Sequence, residues 1–236
     1  VYPSKGNIYY TKSHEPSQIW YKAQKVGPHP VYYDSIGYGI WPAMTLDEKR
    51  EPLVVFYDTS CSKAIYSYRE EISKIFPGKP TLYDTVWHSP PDTLNLTGVP
   101  GPVAMDYALS YNGSGGPIPK GAPVDEAGKQ RWGLPDSSVV GMVHLAYITR
   151  DGYQDKLNYT FFPKLNPEQA DDNEQTVDND LVEDTSRVIG ASIELDPANS
   201  KICIAYGCIK DDTAACYYRE KTCLLYTSPS PRDRQK

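Results

Sequence analysis

The sequence predicts an all-β protein, and three observations carry that prediction. The 236 residues include 20 Tyr, 21 Pro and 17 Gly, a composition that suits short strands joined by tight turns. Runs of strong helix formers such as Leu, Ala and Glu are few. One strand–turn–strand pattern occurs four times along the chain, and tandem units of this kind form repeat architectures. The predicted architecture is a β-propeller fragment, with a β-sandwich as the alternative.

The four repeats are "NIYYTKSHEPSQIWYKA" from Asn7, "VVFYDTSCSKAIYSYRE" from Val54, "HLAYITRDGYQDKLNYTF" from His144 and "CIAYGCIKDDTAACYYRE" from Cys203. Each opens on an apolar strand ending in Tyr10, Tyr57, Tyr147 or Tyr206. A polar turn and a second strand follow, ending in Tyr21, Tyr68, Tyr159 or Tyr218. The Tyr-to-Tyr separations are 11, 11, 12 and 12 residues, the spacing of a β-hairpin. The four leading tyrosines are expected at superposable positions. A further strand precedes three of the hairpins: "IWPAMTLDEKREPLVVFY" and "VIGASIELDPANSKICIAY" align with each other, and "GPVAMDYALS" holds the same place before the third hairpin. Last strands are expected at "PVYYDSI" from Pro30 and "TLYDTVWHS" from Thr81. This divides 1–222 into blades at about 1–36, 37–95, 99–180 and 187–222. A sandwich does not require one spacing four times; stacked four-stranded units do.

Two segments interrupt the repeats. Residues 112–138 are rich in Gly and Pro and read as a surface loop. Residues 166–186 are acidic with no basic residue and read as a solvated loop, with a calcium site as the sharper alternative. The opening "VYPSKGNIYYTKS" has no basic-then-apolar leader pattern and looks like the interior of a β-rich unit, so a preceding segment is expected. The other end, "CLLYTSPSPRD" (223–233), resembles the translation of a transposase-type sequencing adapter. Residues 223–236 are therefore expected to be a non-native tail.

Composition narrows the function classes. Lys+Arg number 24 against 30 Asp+Glu, a formal net charge of −6, which argues against nucleic acid as a partner. No apolar run reaches the length of a membrane span. Sequons at Asn95, Asn112 and Asn158 are candidate glycosylation sites and favour an extracellular, secreted protein. Apart from Cys223, the cysteines are Cys61, Cys203, Cys208 and Cys216. They form no C-x-x-C pair, so no structural zinc site is expected. Cys208 and Cys216 flank one hairpin turn and are the disulfide candidate, with buried free thiols as the alternative.

No nucleotide-binding glycine loop, G-x-S-x-G or H-E-x-x-H is present, and no cofactor is expected. His14, His29, His88 and His144 are scattered. Asp47, Asp58, Asp106 and Asp196 fall at strand ends or turns and could supply the carboxylate pair of a glycosidase. The matched positions of Asp47 and Asp196 point instead to turn capping.

The repeat plan over most of 7–221 resembles the fungal fucose-specific lectins, whose blades carry an apolar strand, a turn, a strand with a Glu and a Trp-bearing strand. The resemblance implies a six-bladed propeller and glycans or glycoproteins as partners. The second-strand Arg of that family is replaced here by apolar residues or Tyr. Tyr-Arg-Glu recurs at the end of two hairpins, as Arg69-Glu70 and Arg219-Glu220. Aromatic rings cover the C–H face of a sugar, and Arg and Glu bond its hydroxyls. The expected ligand-binding set is Arg69, Glu70, Arg219 and Glu220, with Trp41 or Trp87 as a stacking wall. The function expected is a lectin-like propeller without catalysis. A propeller glycoside hydrolase or lyase and a surface-adhesion scaffold are the alternatives.

Overall fold

The computed structural model describes residues 2–4, 7–11, 13–14, 19–20, 24–26, 39–59, 62–74, 82–88, 91–98, 100–111, 139–151, 154–177, 187–196, 201–210 and 213–222. The loop 112–138, Cys61, Asn112, Trp132, the segment 178–186 and the tail 223–236 lie outside them.

The described chain is all-β apart from one 3-10 helix at Pro167–Asn173. The first sheet holds β1 (Tyr2–Ser4), β2 (Asn7–Tyr10) and β5 (Gln24–Lys25), in that order. A two-stranded ribbon, β3 (Ser13–His14) with β4 (Ile19–Trp20), lies between β2 and β5 in the chain. The second sheet has the order β10 (Asp92–Leu94), β8 (Lys63–Lys74), β7 (Pro52–Asp58), β6 (Gly39–Leu46), and β9 (Leu82–Trp87) pairs with the far half of β8. The third runs β11 (Pro100–Tyr111), β12 (Val139–Asp151), β13 (Gln154–Pro163), β14 (Gln175–Thr176). The fourth runs β15 (Arg187–Asp196), β16 (Lys201–Lys210), β17 (Thr213–Thr222). All pairings are antiparallel. The three later hairpins form where the spacing predicts them, each preceded by its extra strand and each in a sheet of its own. They do not merge into two facing sheets. No closed sheet forms among the described residues.

Side-chain alternation along the strands explains how the sheets stack. On β7, Leu53 and Val55 face the third sheet, whereas Val54 and Phe56 face the first. On β12, Val143, Leu145 and Tyr147 face the second sheet, whereas Ala146 and Ile148 face the fourth. The middle strands are apolar on both faces because both are covered, a pattern more usual in buried parallel sheets. Three cores result, each shared by two consecutive sheets. Ile8, Tyr10 and Val26 meet Val54, Phe56 and Ile65 in the first. Tyr66, Leu94, Leu145 and Phe162 are among those filling the second. Leu157, Val188, Ile202 and Tyr206 are among those filling the third.

The first strands of the sheets lie side by side, with β11 beside β6 on one flank and β15 on the other. Each of these strands carries one extra residue against its hairpin partner. Ile40 pairs with Tyr57 but Ala43 with Val55; Pro100 pairs with Thr149 but Val103 with Tyr147; Val188 pairs with Cys208 but Gly190 with Gly207. These are β-bulges, which sharpen twist locally. Carboxylates tie the sheets together near these strands. Asp106 on β11 accepts the amides of Tyr107 at 2.8 Å and of Leu195 at 2.9 Å. Its other close neighbour is the Thr45 hydroxyl of the second sheet, at 3.4 Å. Asp155 accepts the Val188 amide at 3.0 Å, joining the third sheet to the fourth. Asp47 caps its own turn, accepting the Lys49 and Glu51 amides at 2.9 and 2.7 Å, and receives Lys164 from the third sheet at 2.5 Å.

The described part of the acidic segment is not a free loop. Its 3-10 helix covers the edge of the second core with the buried Ala170. Asn173 donates to the Phe161 carbonyl at 3.1 Å, and Glu174 accepts from the Thr97 and Tyr147 hydroxyls. No group of three or more metal-ligating side chains occurs among the described residues.

Two expectations are corrected. Cys208 and Cys216 are not bridged: both are free, Cys208 buried and Cys216 exposed. The two-residue turn sets Lys210 opposite Thr213, so Cys208 pairs with Ala215 and Cys216 with Gly207. The two thiols are one register step apart and point to opposite faces of the sheet. The leading tyrosines are not equivalent either. Tyr10 faces the following sheet, and Tyr57 shares the face of Val55 by alternation. Tyr147 and Tyr206 face the preceding sheet.

Candidate functional site: a cleft between the third and fourth sheets

The Tyr-Arg-Glu motifs sit at matching places on β8 and β17. Neighbouring strand residues point to opposite faces, so each motif is split between two environments. Arg69 points toward the first sheet and Arg219 toward the third. Glu70 and Glu220 take the other faces.

At the second sheet the pattern is closed by the protein's own groups. Arg69 donates to the Thr85 carbonyl at 2.5 Å and pairs with Glu51 at 3.3 Å. Trp87, its cross-strand partner, packs against the first core and meets Tyr10 edge to face, with centroids 5.9 Å apart. Burial raises the Tyr10 hydroxyl above its ordinary pKa, and the neighbouring Arg69 partly offsets this. Glu70 faces His88 at 3.5 Å. The His88 ring lies flat on Tyr68 at 4.7 Å, and its other nitrogen is 3.8 Å from Asp92. Trp41 is on the far side of the sheet, two strands from Arg69. It sits at the β6 bulge with φ 52 and stacks on Tyr57 at 5.7 Å. Trp41 is therefore apart from Arg69, whereas Trp87 lies beside it, packed against the first core.

At the fourth sheet the corresponding place borders a cleft. A cleft of about 160 Å³ lies between β13–β14 and β16–β17, lined by Tyr159, Gln175, Thr176, Val177, Ile202 and Ile204 with the stretch Arg219–Lys221. A cavity of roughly 150 Å³ holds one benzene ring, so the cleft takes a group of about that size. Arg219 is opposite Ile204 and Lys221 opposite Ile202, and both isoleucines belong to the core shared with the third sheet. Arg219 and Lys221 thus rise from the cleft side of β17. The Lys221 ammonium donates to Gln175 Oε1 at 2.6 Å and lies 5.8 Å from the Tyr159 ring centroid. Glu220 takes the outer face, where it accepts from Lys201 at 2.8 Å and lies 3.2 Å from the Tyr218 hydroxyl. Those two contacts hold its carboxyl below the usual carboxylate range.

Tyr159 is fixed from behind. Its hydroxyl is 2.8 Å from Nδ1 of His144, a ring that is fully buried and lies near Phe161. Burial lowers the His144 pKa to about 3, so the ring stays neutral. Among the candidate glycosylation sites, Asn95 is exposed. Asn158 is engaged on its strand: its amide donates to Thr149 Oγ1 at 2.8 Å, and the Thr160 of its sequon is buried and bonded to the Ala170 carbonyl.

Sequence reasoning located Arg219 and Glu220 through the recurring Tyr-Arg-Glu. It missed Tyr159, Gln175, Thr176 and Lys221. Tyr159 reads as a structural repeat residue, and Gln175 and Thr176 lie inside the stretch read as a solvated loop. Comparisons with protein-family models, curated proteins and solved structures find no match.

Proposed function

We propose that the chain is a lectin-like, secreted β-propeller segment that binds glycans without catalysis. The cleft between the third and fourth sheets is its binding site. The observation that carries this reading is the cleft's composition: cationic and amide side chains, Arg219, Lys221 and Gln175, over the edge of a core that holds Tyr159, Ile202 and Ile204. Such a site meets both needs of sugar recognition, an apolar surface for C–H groups and polar groups for hydroxyls. The propeller geometry is supported by the row of adjacent first strands, their shared bulge and cores shared only between consecutive sheets. Asp47 and Asp106 hold backbone amides and sheet contacts, which favours binding over carboxylate catalysis. A secreted location is proposed on the exposed Asn95 sequon, with glycan attached there; expression in a glycosylating host should add glycan mass, of which Asn95→Gln removes one chain.

A glycan array followed by calorimetry tests the function. Binding of a sugar class that Arg219→Ala weakens about tenfold or more supports the site. Unchanged affinity in that variant refutes it.

A further inference from the structure

We infer that the outer edge of β17 pairs with the same edge of a second copy of this chain, giving a two-fold dimer whose fourth sheets run on into one another. This contact concerns a strand edge rather than the cleft and does not depend on the glycan-binding reading.

The second and third sheets cover the matching edge. In the second, β10 pairs with 64–66 and β9 with 69–74 along the outer side of β8. In the third, β14 pairs with Asn158 and Tyr159 of β13. There the Val177 amide also donates to the Leu157 carbonyl at 2.8 Å, and the Asn173 side chain donates to the Phe161 carbonyl at 3.1 Å. In the fourth, β17 pairs with β16 alone among the described residues.

Turn geometry fixes which groups β17 presents. Turns of equal length join β12 to β13 and β16 to β17, with Asp151 opposite Gln154 and Lys210 opposite Thr213. Cys216, Tyr218 and Glu220 therefore hold the places of Leu157, Tyr159 and Phe161. Along an antiparallel pair, alternate residues turn their N–H and C=O away from the partner strand. Leu157 and Phe161 use outward carbonyls, so Ala214, Cys216, Tyr218 and Glu220 turn their backbone groups outward too. Such a row is a template for another strand, and natural edges are blunted by Lys, Pro or bulges. Over 213–218, β17 has no charge, Pro or Gly. Its register with β16 is unbroken, and Ala214, Cys216, Tyr217 and Tyr218 are exposed.

The charges at the end of β17 select a register in which the strand complements itself. In a two-fold antiparallel pair each strand meets its own sequence reversed. Centring on Arg219 sets it against the partner's Arg219. Centring on Glu220 opposes two carboxylates and sets Arg219 against the partner's Lys221. Like charges directly opposite are destabilising. Centring on Tyr218 opposes none: Tyr217 meets the partner's Arg219, and Cys216 meets the partner's Glu220. Tyr218 then meets the partner's Tyr218, and their outward N–H and C=O groups exchange both bonds.

Sedimentation velocity of the full chain, under reducing conditions and over a range of micromolar concentrations, tests this. The expected result is a rise from one chain mass to two with concentration. Tyr218→Lys sets two ammonium groups against each other at the centre of the contact. Tyr218→Pro removes an outward N–H and spares the ladder to β16. Each should raise the dimer dissociation constant at least about tenfold with far-UV circular dichroism unchanged; if Pro perturbs the fold, the Lys variant decides. Amide exchange locates the contact. Cys216 and Tyr218 should exchange fast in dilute protein and slowly in concentrated protein, whereas Tyr217, whose amide faces β16, should not change. A chain that stays monomeric at every concentration overturns the inference. So does a dimer that Tyr218→Lys leaves equally tight, or one in which the Cys216 and Tyr218 amides still exchange fast.

Discussion

Replacing Asp106 by Ala should destabilise the protein by about 2–4 kcal/mol, because one carboxylate serves three sheets. Its oxygens accept the Leu195 amide at 2.9 Å and the Tyr107 amide at 2.8 Å. A hydrogen bond to a charged group contributes roughly 1.5–3 kcal/mol. The Tyr107 bond lies within the strand and adds less than the inter-sheet bond to Leu195. Thr45, at 3.4 Å, adds little. The half-buried setting places the sum in the lower part of the range. Against a domain stability of ~5–15 kcal/mol this is a large fraction. Asp106→Asn keeps the shape and one acceptor oxygen and should cost about half as much. Urea titration followed by far-UV circular dichroism is the assay. With a slope of about 1–3 kcal/mol per molar urea, the Ala variant should lower the midpoint by roughly 1–2 M. A loss below about 0.5 kcal/mol with an unchanged slope would mean that the carboxylate does not hold the sheets together.

Three other outcomes are expected. A Cβ on Gly141 would clash with the Tyr107 hydroxyl, so Gly141→Ala must displace Tyr107 from its bond to Glu48. It should cost about 1–2 kcal/mol, and the cost should vanish in a Tyr107→Ala background. His144 has a folded pKa of about 3, lowered by burial, so the unfolded chain binds the proton first. Stability is full above the unfolded value and falls by ~1.4 kcal/mol per pH unit below it. His144→Phe should flatten that acid limb in melting curves taken between pH 7 and 4; an unchanged slope contradicts the assignment. Finally, native labelling with a thiol reagent should modify Cys216 readily and Cys208 only on unfolding, with no mass change on reduction attributable to that pair.

The hairpins were legible because local physics specifies them. An apolar strand, a polar turn and a second strand of fixed spacing have few other solutions, and β7–β8, β12–β13 and β16–β17 form accordingly. The face that each residue takes was less legible. A single-residue change in turn length or a bulge reverses the sheet face, and this separated Cys208 from Cys216 and placed Tyr57 and Tyr147 on opposite sides of their sheets. The register of a two-residue turn was available from the sequence, because Lys210 opposite Thr213 already sets Cys208 opposite Ala215. The cleft was only half legible. Arg219 and Glu220 belong to a repeated motif, whereas Tyr159 and Gln175 reach the site through packing between sheets, which no local pattern encodes.

The division of the interior into three cores, each shared by two consecutive sheets, has a consequence for how the molecule comes apart. Its energetics are those of a row of coupled links, in which each sheet has its own stability and one coupling on each side. Among the described residues, a substitution in one shared core should therefore loosen the two sheets that share it and leave the other sheets protected, which amide exchange would show. The proposed binding cleft lies across the coupling of the third and fourth sheets. A ligand bridging Tyr159 and Arg219 would act as a clasp on that coupling.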